Sequence, residues 1–300
     1  MAVQRFEISQ WADEVPDPAD QLRALEAIEN GDLLLLPRLP FALLKTERRF
    51  LDAGISDGRS KNISYDPTTA ELRGTCLQGR DRDQLYAMVE RFSQQARRLI
   101  ETLFPFYAPH LQWGRASFRP CEVDDRPSSY RKDDRRLHID AFPSRPNRGQ
   151  RILRVFSNVN PHRPRVWHIG EPFPAFAERF LPRVRPPLPG SAWLLERMGV
   201  THGRRTDYDA IMLQLHDRAK ADADYQRTAP QQEIVFPPGS TWIVCTDQVL
   251  HAALSGQHLL EQTFQLEVEH MRHPERSPLR VLERLTGRQL QHVTPGPRAH

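Results

Sequence analysis

The chain has 300 residues, 39% hydrophobic and 27% charged, with a formal net charge of +4. That is enough to bury a core in one large domain or two small ones. No apolar run approaches the roughly eighteen residues of a membrane-crossing helix: the longest aliphatic run, Leu33 to Leu36, is ended by Pro37.

The early acids Asp13, Glu14 and Asp17 leave no room for an apolar export signal. Helix periodicity begins near 18–30, where Asp17 can cap, Pro18 suits the first turn, and Leu22, Leu25 and Ile28 form a stripe. Gly31 closes that helix, and Leu33 to Pro37 reads as a short buried strand. Asp66-Pro67 sits between two strand-like stretches over 60–75 and predicts a hairpin. The clearest helix spans 81–104, with Leu85, Met88, Val89, Phe92, Ala96, Leu99, Ile100 and Leu103 recurring at three- and four-residue steps.

From 111 onward the texture changes to short strands punctuated by Pro, Gly and Asp. Strands are expected at 113–119, 136–142, 151–159, 233–236, 241–246 and 262–269, and helices at 207–221 and 278–286. The tail, residues 295–300, rich in Pro and basic residues, is expected to be disordered. Cys76, Cys121 and Cys245 are too scattered for a disulfide framework or a cysteine zinc site, and imply a reducing, cytoplasmic compartment. Helices first and strands later predict an α+β, mainly β chain: one domain over 1–294, with helices packed on one face of a β-sandwich or barrel.

Arginine outnumbers lysine 38 to 4, a bias that genome composition alone can produce. Between Arg115 and Arg165, however, 13 basic residues face only 6 acids. The planar fork of arginine grips carboxylates and phosphates at two points, so this skew points to an anionic ligand.

The chemistry gathers at Leu137-His138-Ile139-Asp140-Ala141. In a strand, residues two apart share a face, so His138 and Asp140 project together. A His-x-Asp triplet by itself is common, and a hydrogen-bonded core histidine is its ordinary explanation. Here a second feature supports it. A Pro-Gly-Ser turn, a buried strand over 241–245 and then His251 follow, 111 residues after Asp140. Two imidazoles and one carboxylate make the facial triad of non-haem iron(II) oxygenases, which leaves positions open for a co-substrate and O2. The spacing suits a double-stranded β-helix, a jelly-roll or cupin-like core.

Such an enzyme using 2-oxoglutarate needs a cation for the distal carboxylate. The place about ten residues after the last histidine holds Glu261 and Gln262. Arg154, inside an apolar strand where an unpaired cation is costly, is the expected anchor, with Arg151 and Arg119 in reserve. Thr263 and Gln265 are expected to add hydrogen bonds. The mouth arginines Arg131, Arg135, Arg136 and Arg145 read as solvated surface charges.

These residues resemble a known family. Tyr130 to Asp134, Arg136 to Pro146, Arg151 to Phe156, Lys61 to Asp66 and the block around His251 are similar to the Kdo hydroxylases, over about residues 30 to 270. The resemblance implies an Fe(II)/2-oxoglutarate/O2 dioxygenase that hydroxylates the 3-position of 3-deoxy-D-manno-oct-2-ulosonic acid (Kdo) to give Ko. It implies Kdo-lipid A as substrate, at the cytoplasmic face of the inner membrane, and transfers the metal triad to His138, Asp140 and His251. The rival readings are the same chemistry on nucleic acid or protein, a non-enzymatic β-sandwich that binds an anionic sugar, and a metal hydrolase. The first lacks the arginine pattern of nucleic-acid demethylases after His251, so no nucleic-acid partner is expected. The last lacks a general base beside the triad.

Overall fold

A computed structural model describes residues 2–11, 15–123, 129–188 and 190–291; the tail expected to be disordered lies outside them. The elements run β1 (Val3–Arg5), α1 (Pro18–Glu29), β2 (Leu33–Leu36), β3 (Ile63–Asp66), β4 (Glu71–Arg73), α2 (Gly79–Leu103), β5 (Gln112–Arg119), β6 (Arg151–Asn158) and β7 (Arg165–Ile169). They continue α3 (Phe173–Phe180), α4 (Ser191–Arg197), α5 (Asp207–Ala221), α6 (Ala223–Thr228), β8 (Gln232–Phe236), β9 (Thr241–Cys245), β10 (His251–Ser255), β11 (Leu259–Leu266) and α7 (Pro278–Thr286).

An eight-stranded sheet has the order β1-β2-β9-β6-β11-β5-β3-β4, and a three-stranded sheet the order β10-β7-β8. All eight residues of β6 are buried, because both faces of the large sheet are covered. Alternation sorts them. Leu153 and Val155 join the core that includes α1 and α2. Phe156 turns the other way, into a smaller cluster with Trp167 and Ile169 of β7 and Trp242 of β9. The two sheets thus face each other over an aromatic layer, and the long helices cover the outer face of the large one. This is the double-stranded β-helix expected from the sequence.

Trp242 occupies the middle of that layer. It stacks on Phe236 at 3.9 Å between centroids and meets Trp167 edge-on at 5.5 Å. Trp242→Ala is expected to cost about 3–5 kcal/mol by opening a cavity where two sheets meet, read from the midpoint of urea unfolding. Trp242→Phe keeps a ring there and removes an indole N–H that has no partner, so a loss as large as that of the alanine variant would disprove a packing role.

The expected strand over 136–142 does not form. Its backbone groups are taken one by one from different sides. Gln226 accepts from Leu137 N–H at 2.7 Å and donates to its carbonyl at 3.0 Å, and Asp140 N–H donates to the Thr246 carbonyl at 2.8 Å. Only His138 pairs as in a ladder, exchanging backbone bonds with His251. The last strand begins at Leu259 rather than 262 and ends at Leu266. Sequence patterning also passes over β7, β10, α3, α4 and α6. Strand β10, His-Ala-Ala-Leu-Ser, has no β-branched residue and reads as a turn.

Candidate metal centre and its cavity

His138 precedes the bend at Pro143, and His251 opens β10. Their backbones exchange two hydrogen bonds, His138 N–H to the His251 carbonyl at 3.0 Å and His251 N–H to the His138 carbonyl at 2.8 Å. Asp140 is held by the Thr246 carbonyl, in the turn that leads to His251. One ligand atom from each of the three side chains lies within 4.8 Å of the others.

The ring nitrogens are assigned by their surroundings. His138 Nδ1 lies 2.7 Å from the Arg136 carbonyl and His251 Nδ1 lies 2.8 Å from the Val249 carbonyl. A carbonyl only accepts, so each Nδ1 carries the proton and each Nε2 presents a lone pair. Trp167 stacks on His251, 5.2 Å between centroids, and fixes the plane of its ring. Burial holds both imidazoles below their ordinary pKa, so they are neutral and free to ligate. For Asp140, burial opposes ionisation, but Arg154 and the two histidines outweigh it and keep the carboxyl well below the usual range. Its Oδ2 is buried and accepts no well-aligned hydrogen bond, although Arg154 Nη2 stands 3.2 Å away. Two neutral imidazoles and an under-satisfied carboxylate on one point fit a divalent transition metal.

The triad opens into a cavity of about 240 Å³ between the sheets. Its wall carries a line of alternating charge. Lys61 Nζ is 2.6 Å from Asp134, Asp134 is 3.6 Å from Arg119, Arg119 is 2.5 Å from Glu261, Glu261 is 2.8 Å from Arg154, and Arg154 reaches Asp140. Burial raises the cost of charge on Glu261, yet the two arginines hold its pKa below the ordinary value.

Arg165, first residue of β7, stands outside this line. It is 3% exposed, donates from Nη1 to the Gly256 carbonyl at 2.6 Å, and has a buried Nε without a partner. No carboxylate of the described residues lies within ion-pairing distance of it. Burial, with Arg119 nearby, pushes its pKa down to about 9, still protonated at neutral pH. Arg165 was missed in the sequence because β7 was missed. The signal was there: Arg165, Trp167 and Ile169 alternate on one face, which puts a cation among inward aromatic and aliphatic neighbours.

The other expected site residues divide. Arg154 lines the cavity with the triad. Thr263 pairs with Arg154 across the ladder and Gln265 with Ile152; neither lines the cavity. Arg151 faces away and is bound to Asp247. At the mouth, Arg131 and Arg135 are spent on Asp217 and Asp133. A vestibule of about 470 Å³ adjoins the cavity and shares Lys61, Asn62, Arg119, Asp134 and Arg165 with it.

A family model described as 3-deoxy-D-manno-oct-2-ulosonic acid (Kdo) hydroxylase matches residues 10–289. Among solved structures, the apo form of the Kdo hydroxylase KdoO, a non-haem Fe(II), 2-oxoglutarate-dependent dioxygenase, is 47% identical, with a TM-score of 0.94 over 97% of each chain. KdoO in complex with 2-oxoglutarate and Fe(III) is 45% identical, with a TM-score of 0.94 over 100% of both chains. KdoO with succinate and Fe(III) is 46% identical, with a TM-score of 0.93 over 99% of both. No curated protein sequence matches the chain.

Proposed function

The chain belongs to the Kdo hydroxylase family of Fe(II)/2-oxoglutarate-dependent dioxygenases, and on that premise we propose how its residues divide the work of hydroxylating Kdo-lipid A at the 3-position. The observation that carries the reading is the triad: His138, Asp140 and His251 converge, both Nδ1 protons are tied to carbonyls, and both Nε2 atoms are free. Residues 1–294 act as one dioxygenase domain, supported by a single core cluster that runs from Phe6 to Leu290.

Iron and 2-oxoglutarate, when bound, supply the oxidising power that places one oxygen of O2 into a C–H bond, with succinate and CO2 released. The protein's part is to bind, orient and exclude water. Arg154 is engaged at both ends by Asp140 and Glu261, so it serves to aim and neutralise the carboxylate ligand, with Thr263 beside it in the ladder and Gln265 one step deeper. Arg165 is a buried cation that no carboxylate of the described residues pairs with, and it receives the distal carboxylate of 2-oxoglutarate. Such a charged hydrogen bond contributes about 2 kcal/mol or more. Arg165→Met is therefore expected to raise KM for 2-oxoglutarate roughly thirtyfold or more while iron affinity holds. Arg154→Met is expected to weaken iron instead. A reversal of the two outcomes would assign the anchor to Arg154.

Charge bookkeeping supports an anionic substrate. The cavity wall offers Lys61, Arg119, Arg154 and Arg165 against Asp134, Asp140 and Glu261, with both histidines neutral. That leaves one positive charge. A divalent iron and the 2-oxoglutarate dianion cancel, so the filled site still lacks one negative charge. A sugar acid such as Kdo supplies it with its carboxylate, entering through the vestibule. No helix among the described residues is long and apolar enough to cross a membrane; the family's lipid-borne sugar, Kdo-lipid A, is the reason to place the protein in peripheral contact with the cytoplasmic face of the inner membrane.

The test is anaerobic loading with iron(II), then addition of O2, 2-oxoglutarate and Kdo-lipid A, with product mass and succinate followed together. One oxygen gained on the sugar supports the assignment. Succinate without sugar oxidation would reject the substrate and keep the oxygenase.

A further inference from the structure

Helix α4 and its flanks form a patch unlike the rest of the surface. None of its seven residues is buried. Leu188, Trp193, Leu194, Met198 and Val200 are 37–78% exposed, and within thirteen positions they supply five of the eleven exposed large hydrophobic side chains among the described residues. Single exposed apolar residues are ordinary, but a contiguous group marks a surface built to be covered. Trp193, Leu194, Arg197 and Met198 recur at one- and four-residue steps and share one side of the helix. The Arg197 guanidinium lies 5.7 Å from the Trp193 ring.

The same stretch is basic. Residues 183–205 hold Arg183, Arg185, Arg197, Arg204 and Arg205 against one acid, Glu196. Arg183 and Arg204 are paired, with Asp222 and Glu196. Arg185, Arg197 and Arg205 form no ion pair with the described residues. The segment is also tied to the metal cavity. His202 N–H donates to the Ser144 carbonyl at 2.8 Å, and Arg205 donates to the Pro143 carbonyl. Both acceptors follow directly on Phe142, which lines the cavity.

We infer that α4 and its flanks, with Trp193, Leu194 and Met198 inserted and Arg185 and Arg197 at the level of the headgroups, form the surface that docks this protein on an anionic lipid bilayer beside the mouth of its active site. An indole and aliphatic tips beside unpaired guanidinium groups match the interface between acyl chains and negative headgroups. A second copy of the chain would press like-charged arginines together, and a nucleic acid would leave Leu194 and Met198 uncovered. The inference deepens the reading above and depends on it only for a substrate that carries acyl chains.

The full chain is sedimented with phosphatidylglycerol–phosphatidylethanolamine vesicles and with phosphatidylcholine vesicles, at low and high salt. The wild type is expected to pellet with the anionic vesicles and to be released by salt. Trp193→Glu with Leu194→Glu is expected to cut the bound fraction at least tenfold, with iron and 2-oxoglutarate binding unchanged because both positions are exposed. Arg185→Glu with Arg197→Glu is expected to reduce binding and flatten its salt dependence. The Trp193 and Leu194 variant should lose turnover of Kdo-lipid A in vesicles and keep it in detergent micelles. A wild type that stays in the supernatant, or a double variant that pellets like it, overturns the inference. Vesicle binding that depends on these residues without hydroxylation of Kdo-lipid A in either form leaves the docking surface standing and removes the substrate reading.

Discussion

Asp140→Ala is expected to lower iron affinity by more than about a hundredfold and to abolish hydroxylation, with the fold intact. Loss of an outer-shell partner of a metal ligand already costs 10–100-fold, and this change removes a ligand itself. The fold survives because Asp140 is fixed through its backbone: its N–H donates to Thr246, and that bond does not depend on the side chain. The variant also leaves Arg154 with Glu261 alone, so the cavity becomes more positive and repels the cation further. His138→Ala should behave alike, since the bonds it exchanges with His251 are main-chain bonds. Anaerobic iron titration, with circular dichroism as the control for folding, decides the matter. An Asp140→Ala protein that held iron as tightly as the wild type would remove the triad as the metal centre.

A large loss of stability is expected at Asp247, whose side chain is bound to Arg151 rather than to the metal triad. Asp247 and Arg151 are 0% and 3% exposed in their side chains and lie 2.7 Å apart. Asp247 also accepts from Ile152 N–H at 3.2 Å, and Arg151 donates to Gln248 at 2.6 Å. Burial disfavours the Arg151 charge, and Asp247 more than offsets that, so the guanidinium stays firmly protonated. Asp247→Ala strands that charge in the core and is expected to cost about 3–5 kcal/mol, whereas replacing both partners by apolar residues should recover most of it. Urea unfolding of the two singles and the double gives the coupling. Additive losses would show that the pair is not a unit. Because Asp247 sits in the turn that holds Asp140 and leads to His251, the double variant is expected to regain stability without regaining full iron affinity.

The metal centre was legible because its signal is local in two places: a His-x-Asp flanked by apolar residues, and a histidine just after a buried strand. Helix α2 was legible through its periodic Leu, Phe and Ile residues, and β6 and β9 through continuous apolar runs. What failed was anything defined by partners far away in sequence. The 136–142 stretch has strand-like alternation, yet its hydrogen bonds go to Gln226, Thr246 and His251, and no local pattern announces such partners. Strand β10 has Ala where strands favour branched residues, and one of them, Ala253, lies opposite the large Trp167 of β7. The role of Arg154 was half legible. A cation inside an apolar strand does need an anion, but only the ladder pairing of β6 with β11 shows that Glu261, with Asp140, supplies it.

Since His138 and His251 are joined through their backbones, the loop that an incoming ion would close is already closed. Binding then costs little chain entropy, in contrast to small domains that fold around their metal. Two consequences follow for the cell. Loss of the ion leaves a folded protein that can be reloaded, so starvation for iron silences the enzyme without destroying it. A trio that is ready-made also cannot use the work of folding to choose among divalent ions, and their intrinsic order of affinity does not favour iron. The identity of the occupant is therefore governed by which metal the compartment supplies.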